Sequence, residues 1–154
     1  MNASSPSRRD ALSLALRGSA VAIAACLFPS RAWATPADAK ALLEKLGPGT
    51  PQAGKITIGA PEIAENGNTV PIVLDVDSPM SPQSYVKTIV MVADGNPLPG
   101  VARFDLSPVN ARAHVEFRIR LAQTQNLTAV ALMSDGSMWT ATKNVKVTIG
   151  GCGG

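Results

Sequence analysis

The stretch Ala113–Leu121 alternates strictly between polar and apolar side chains, and this alternation restricts what the whole chain can fold into. Its odd positions from 115 onward are Val, Phe, Ile and Leu, and its even positions from 114 onward are His, Glu, Arg and Arg. Successive side chains of a β-strand point to opposite faces, so the pattern predicts an antiparallel strand with one face on a core and the other in water. Such a strand needs a sheet around it and a second layer over its apolar face.

Further short strands, separated by Gly, Pro, Asn and Asp, predict an all-β fold. Strands at this spacing with almost no helix indicate an immunoglobulin-like antiparallel β-sandwich over residues 50–149, although the Cys-Trp-Cys pattern of antibody domains is absent. Asp135-Gly136 predicts a hairpin turn into a last strand that begins near Met138. The other strands are predicted at Ile56–Ile58, Val70–Val76, Tyr85–Ala93, Val101–Leu106 (an edge strand) and Leu127–Met133.

A short helix and linker are predicted at residues 35–49, ahead of the sandwich. Thr35 is a capping residue, Pro36 suits the first helical position, and Asp38 falls in the first turn, where the helix dipole favours negative charge. Leucines then recur at helical spacing until Gly47-Pro48-Gly49. The helix is predicted to be an appendage that docks on the β domain.

The first 34 residues are predicted to be an export signal. Arg8 and Arg9 form a twin-arginine pair, Ser19–Phe28 is mostly apolar, and Ala32-Trp33-Ala34 is a cleavage site of the A-x-A type. The apolar run is too short to span a bilayer, so we expect cleavage after Ala34, a periplasmic protein and no stable membrane anchor. The general secretory route and lipidation at Cys26 are the alternatives.

Removal of this signal changes the charge of the protein. The signal holds four of the 14 basic and one of the 11 acidic residues, so the two signs balance in the mature chain. A neutral chain gives no support for nucleic-acid binding, which needs a basic surface.

Cys152 is the only cysteine that remains after cleavage, and it lies between Gly150-Gly151 and Gly153-Gly154. Glycine has no Cβ and loses the most backbone entropy on ordering, so residues 150–154 are predicted to form a flexible arm. An unpaired thiol in an oxidising compartment indicates covalent chemistry or pairing with another chain. The sequence leaves three hypotheses: a carrier arm, a disulfide that joins two chains, or a thiol oxidoreductase, which would need a Cys-x-x-Cys pair or a basic pocket.

The signal, the β domain and above all the run Val145–Gly154 together resemble the SoxY family, the sulfur-carrier subunits of bacterial thiosulfate oxidation, whose tail reads Gly-Gly-Cys-Gly-Gly. The resemblance implies a non-catalytic carrier without cofactor or metal, in which Cys152 is the covalent attachment site and Gly150, Gly151, Gly153 and Gly154 form the arm. It also implies four partners: a SoxZ-like subunit that forms a heterodimer, a haem-containing enzyme that couples thiosulfate to the thiol, a manganese-dependent hydrolase that releases sulfate, and a molybdenum-containing sulfane dehydrogenase.

Two predicted strands, Val86–Ala93 and Leu127–Met133, are apolar on both faces. Each sheet of a two-layer sandwich has one inner face, so the second apolar face needs cover. We expect a partner subunit to supply it; the alternative is the N-terminal helix, which is short enough to hide only part of a sheet.

His114, the single histidine, is expected to be solvated on a polar strand face, because no second histidine or cysteine stands at metal-ligand spacing. No nucleophile elbow, phosphate-binding loop or dinucleotide motif occurs either, which agrees with a protein that is not itself an enzyme.

Overall fold

A computed structural model of the chain describes residues 35–47 and 49–148. The predicted export signal (1–34) and the predicted arm (150–154) lie outside the described residues. No helix among the described residues is long and apolar enough to cross a membrane.

One helix precedes nine strands in the described chain. Helix α1 covers Pro36–Glu44. The strands are β1 (Gln52–Ala53), β2 (Ile56–Gly59), β3 (Ile63–Ala64), β4 (Val70–Val76), β5 (Val86–Ala93), β6 (Gly100–Asp105), β7 (Ala113–Ile119), β8 (Gln125–Met133) and β9 (Met138–Val147).

The strands form two sheets, which confirms the predicted sandwich. One sheet has the order β1-β9-β8-β5-β6, with β3 also paired to β9, and the other has the order β2-β4-β7. All pairs between the long strands are antiparallel, whereas the two-residue strands β1 and β3 pair with β9 in parallel. The hairpin between β8 and β9 turns at Gly136, whose φ of +86° suits glycine. Strand β6 lies at a sheet edge, as predicted.

The core lies between the two sheets. Strand β4 contributes Ile72 (1% exposed) and Leu74 (0%), and the facing sheet contributes Ile89, Met91 and Leu127, all at 0%. These side chains belong to one continuous apolar cluster. Each fully buried side chain of this size stabilises the fold by roughly 1.5–3 kcal/mol, so this cluster holds the two sheets together.

Helix α1 begins where its capping residues predict. The Asp38 backbone N–H donates to Thr35 Oγ1 at 3.3 Å, and the Thr35 backbone N–H donates to Asp38 Oδ2 at 2.8 Å, so the two residues form a reciprocal capping box. Pro36 occupies the first turn. The predicted start is confirmed, whereas the helix ends at Glu44, two residues before Leu46, which the predicted helical spacing included.

The single chain already buries part of the second apolar face of β5 and β8, and cover of the remainder by a partner subunit stays a prediction. Val92 and Val130 lie outside the main core cluster, yet they are only 2% and 0% exposed within the single chain. Helix α1 packs on this side: Ala39 is 6% exposed. A methyl group placed on Gly100 of β6 would lie 3.5 Å from Leu42 Cδ1. The helix therefore covers part of the outer face.

A groove remains beside the helix. It has a volume of about 450 Å³ and lies between α1 with the residues that follow it and strands β5 and β6. Its lining is Leu42, Lys45, Leu46, Val90 and the first four residues of β6. This groove is the uncovered remainder of the outer face.

Candidate functional site

The predicted attachment residue, Cys152, and its four glycines follow strand β9 in the sequence, after Thr148 and Ile149. They lie outside the described residues, so the structure shows the platform from which they extend. Thr148 is the last described residue before them.

The end of β9 is held from both sides. On one side the Val147 backbone N–H donates to Thr124 Oγ1 at 3.0 Å. On the other side the Lys146 backbone N–H donates to Glu62 O at 2.9 Å, and that of Thr148 donates to Ala64 O at 3.1 Å. Because hydrogen bonds to both neighbours fix the backbone through Thr148, the chain leaves the sheet from a defined point.

Cys152 lies four residues beyond Thr148. A fully extended chain spans at most roughly 3.3–3.6 Å per residue, so the thiol can lie up to about 14 Å from the end of the sheet. This is the radius within which any group that reacts with Cys152 must come.

A small cavity of about 350 Å³ adjoins the end of β9. Lys143 is one of its lining residues, and its Nζ donates to Ala60 O at 2.7 Å. Ile63 and Lys146 are direct partners in the parallel pairing of β3 with β9, and Ile63 is 56% exposed. We name the residues that line this cavity, Glu62, Ile63, Lys143, Asn144 and Lys146, the arm-base surface.

The sequence reasoning missed the arm-base surface because it missed β3. A strand of two residues has no alternation to detect, and Ile63 and Ala64 are flanked by Glu62 and Glu65. The only signal was a large apolar residue in an otherwise polar connection.

A buried amide supports the loops at the same end of the molecule. Gln125, which is 4% exposed, accepts from the Gly95 backbone N–H at 2.8 Å through Oε1 and donates through Nε2 to Asn96 Oδ1 at 3.0 Å. Gly67 also lies here, and a methyl group on it would collide with the Leu121 carbonyl oxygen. Fully satisfied buried polar groups of this kind rigidify their surroundings.

His114 is exposed on the outer strand face, as expected, but it also pairs with two carboxylates. Its Nδ1 lies 2.8 Å from Asp75 Oδ2 on the neighbouring strand β4, and its Nε2 lies 3.1 Å from Glu116 Oε1. Arg112 contacts the same Asp75 oxygen at 3.5 Å. The alternation of polar and apolar residues predicted that His114 lies on the outer face. Its alignment with Asp75 depends on the register between β4 and β7, which the alternation does not predict.

Both ring nitrogens of His114 face carboxylate oxygens, which only accept hydrogen bonds, so the imidazolium form fits this site best. The hydrogen bonds to Asp75 and to Glu116, with the charges of both carboxylates, raise the pKa of His114 above its ordinary value of 6.5. Within the described residues, no cluster of three or more His, Cys, Asp or Glu side chains is arranged to hold a metal ion.

We therefore expect the wild-type protein to lose stability relative to a His114→Gln variant as the pH rises. A raised folded-state pKa stabilises fully below the unfolded-state value of about 6.5, and this contribution disappears as the pH passes through the folded-state pKa. The groups that face His114 are Asp75 and Glu116, with Arg112 beside Asp75. Thermal melts at several pH values between about 5.5 and 9 measure the effect. A Tm difference between the two proteins that stays constant across that range would contradict it.

Comparison with known proteins places these features in a family. A family model described as "Sulfur oxidation protein SoxY" matches residues 40–152, a range that includes Cys152. The solved structure of the sulfur carrier protein SoxY from Chlorobium limicola f thiosulfatophilum is similar, with a TM-score of 0.62 and 32% sequence identity over 75% of this chain and 100% of that one. A search among curated proteins found no match.

Two superoxide reductases share the fold. The protein from Ignicoccus hospitalis has a TM-score of 0.55 and 22% identity over 62% of this chain and 81% of that one. The protein from Nanoarchaeum equitans has a TM-score of 0.53 and 12% identity over 62% of this chain and 100% of that one. At these identities the likeness concerns architecture alone.

Proposed function

Because this chain belongs to the SoxY family of sulfur oxidation proteins, we propose that it is the sulfur carrier of a periplasmic thiosulfate-oxidising system and that Cys152 is the attachment site. The family relation itself makes the chain a carrier of sulfur in sulfur oxidation. Thiosulfate as the source of the sulfur, the periplasm as the location and Cys152 as the reactive residue are the parts that we propose.

One observation supports the attachment site above all. The backbone is fixed on both sides as far as Thr148, and Cys152 follows among glycines with no large side chain near it in sequence. A rigid platform that leads into a glycine-flanked thiol suits a residue that must enter the clefts of other proteins, since glycine presents no Cβ to a narrow channel.

Loading of the arm is an oxidation. The Cys152 sulfur and the outer sulfur of thiosulfate form a new S–S bond, the thiol loses its proton, and two electrons leave to an external acceptor, as in any thiol coupling. In the proposed system a haem-containing enzyme takes these electrons. The former outer sulfur of thiosulfate is now the sulfane sulfur between Cys152 and a terminal sulfonate. A manganese-dependent enzyme then hydrolyses the bond between the sulfane sulfur and this sulfonate. Water supplies the fourth oxygen of the released sulfate, and a persulfide stays on Cys152.

The carrier itself is not proposed to activate its thiol. A free cysteine has a pKa of about 8.5 and needs a neighbouring base or cation to react readily at neutral pH. Lys143 and Lys146 belong to the strand before the arm, and the segment after them carries no base. Activation is therefore assigned to the enzymes that receive the arm, including the molybdenum-containing dehydrogenase that would oxidise the sulfane sulfur.

We expect the protein to form a heterodimer with a SoxZ-like subunit through the groove beside α1. The groove is lined by apolar residues such as Leu46 and Val90, and it adjoins β6, which is a sheet edge. Leu46→Glu should weaken the heterodimer by about tenfold or more, as charges do in the apolar centre of an interface. Glu44→Lys, at the last residue of the helix and outside the groove lining, is the matched control. Equal binding by both variants in titration against the purified subunit would exclude this surface.

We expect the periplasmic protein to begin at Thr35. Ala32-Trp33-Ala34 is the cleavage site that follows the apolar run. Terminal sequencing of the protein from a periplasmic fraction measures the start directly. A start before Arg31, or a lipid on Cys26, would contradict cleavage after Ala34.

The proposed function is tested by a loading assay. Purified protein, mixed with radiolabelled thiosulfate and the coupling enzyme of the same organism, should take up label that a reductant removes. Label that never becomes bound to the protein, under conditions in which the enzyme is active on another carrier, would exclude the function.

A further inference from the structure

We propose that the arm-base surface is where the arm-receiving enzymes dock, and that it fits a cleft rim that carries carboxylates and an apolar pocket. This inference rests on the proposed carrier function, and it adds the residues by which the partners recognise the carrier. It shares no lining residue with the groove beside α1.

The length of the arm restricts where an enzyme can bind. Cys152 lies four residues beyond Thr148, and at roughly 3.3–3.6 Å per residue the thiol reaches at most about 14 Å from the end of the sheet. When the thiol enters a cleft, part of this length lies inside the cleft. The mouth of the cleft must therefore come close to the end of β9, and the residues beside that end must face its rim.

Ile63 gives this surface an apolar contact point. Three large hydrophobic residues are exposed in the described chain: Ile63, Leu98 and Val109. Of these three only Ile63 belongs to a strand, and its register partner on β9 is Lys146. A strand fixes the position of the side chain, which lowers the entropy cost of using it in an interface.

The charge of the surface selects the partner. Lys143 and Lys146 line the cavity together with a single acidic residue, Glu62. Within the described residues neither lysine has a carboxylate within 4.0 Å, whereas Lys40 pairs with Glu44 at 3.9 Å. The Lys143 ammonium is oriented by its hydrogen bond to Ala60 O and retains two further protons to donate. One oriented ammonium and a second lysine, neither paired with a carboxylate in the described part of the chain, fit a rim that carries carboxylates.

The test compares loading rates of charge-reversal variants with purified coupling enzyme. Lys146→Glu should slow loading by roughly tenfold at low salt, since charge complementarity acts mainly on association rates. The loss should shrink at about 1 M salt, where the screening length falls to about 3 Å. Lys146→Arg, which keeps the positive charge, should load at the wild-type rate. The matched control is Lys87→Glu, an exposed lysine on β5, near the opposite end of the same sheet.

The apolar contact is tested in the same assay. Ile63→Ser should slow loading at both salt concentrations, whereas Leu98→Ser, at a more exposed loop position, should load as wild type does. All variants should react at the wild-type rate with a small alkylating reagent, because the substitutions leave Cys152 itself unchanged.

The outcomes separate the two proposals. Wild-type loading with an unaffected Lys146→Glu variant would overturn the docking surface and leave the carrier function standing. Loss of the second subunit from Ile63→Ser would also overturn it, because the residue would then belong to the heterodimer interface. Failure of the wild-type protein to load would overturn the carrier function and the docking surface together.

Discussion

Cys152→Ser is expected to abolish sulfur loading completely and to leave the melting temperature of the protein unchanged. Serine keeps the size of the side chain but cannot form the S–S bond on which the carrier function depends. The core is complete without this residue, because the buried cluster is built from residues 56–145, and segments outside the core contribute little to stability. Uptake of radiolabelled thiosulfate and a thermal melt measure the two halves of the prediction.

If the Cys152→Ser variant melts at the same temperature as the wild type, any loss of loading is due to the missing thiol and not to a failure to fold. Label that remains on the serine variant would mean that a residue other than Cys152 holds the sulfur. Cys26, the only other cysteine, lies in the predicted signal, so that residue would not be a cysteine of the mature protein. The carrier account would then be wrong.

Gly151→Val and Gly153→Val are expected to reduce loading by at least about a hundredfold, although both retain the thiol. A β-branched residue restricts the backbone and adds bulk on either side of Cys152. Misplacement of a reacting group by about 1 Å can cost on the order of a hundredfold in rate. Loading rates of the two variants should be measured beside their rates of alkylation by a small reagent, which should stay at the wild-type value.

These valine variants also separate a carrier from a disulfide linker between two chains. A linker on the surface requires no channel, so a bulky neighbour would not prevent it from forming. Valine variants that load as fast as the wild type, or a protein found only as a disulfide-linked dimer, would favour the linker.

The parts of the fold that follow from local pattern were predictable. Alternation identified β4 and β7, because one face of each strand lies on the core and the other faces outward. Asp135-Gly136 specified its hairpin through the positive φ of Gly136. Thr35 and Asp38 marked the start of the helix because a capping box is a contact between residues close in sequence.

The parts that depend on distant contacts were not predictable. The burial of Val92 and Val130 within the single chain arises from tertiary packing, which no periodicity records. The pairing of His114 with Asp75 depends on the register of β4 and β7. The arm-base surface depends on β3, where two residues pair in parallel with the end of β9. Of the candidate site, the sequence identifies the thiol and its glycines, whereas the platform that holds them is visible only in three dimensions.

The intact mass of the protein purified from thiosulfate-grown cells, with and without reductant, tests the carrier account most directly. We expect a fraction of the wild-type protein to carry added sulfur or thiosulfate that reductant removes, and fragment masses to place the addition on Cys152. A protein whose mass is unchanged by reductant, or whose only modification is a disulfide-linked dimer, would contradict the account.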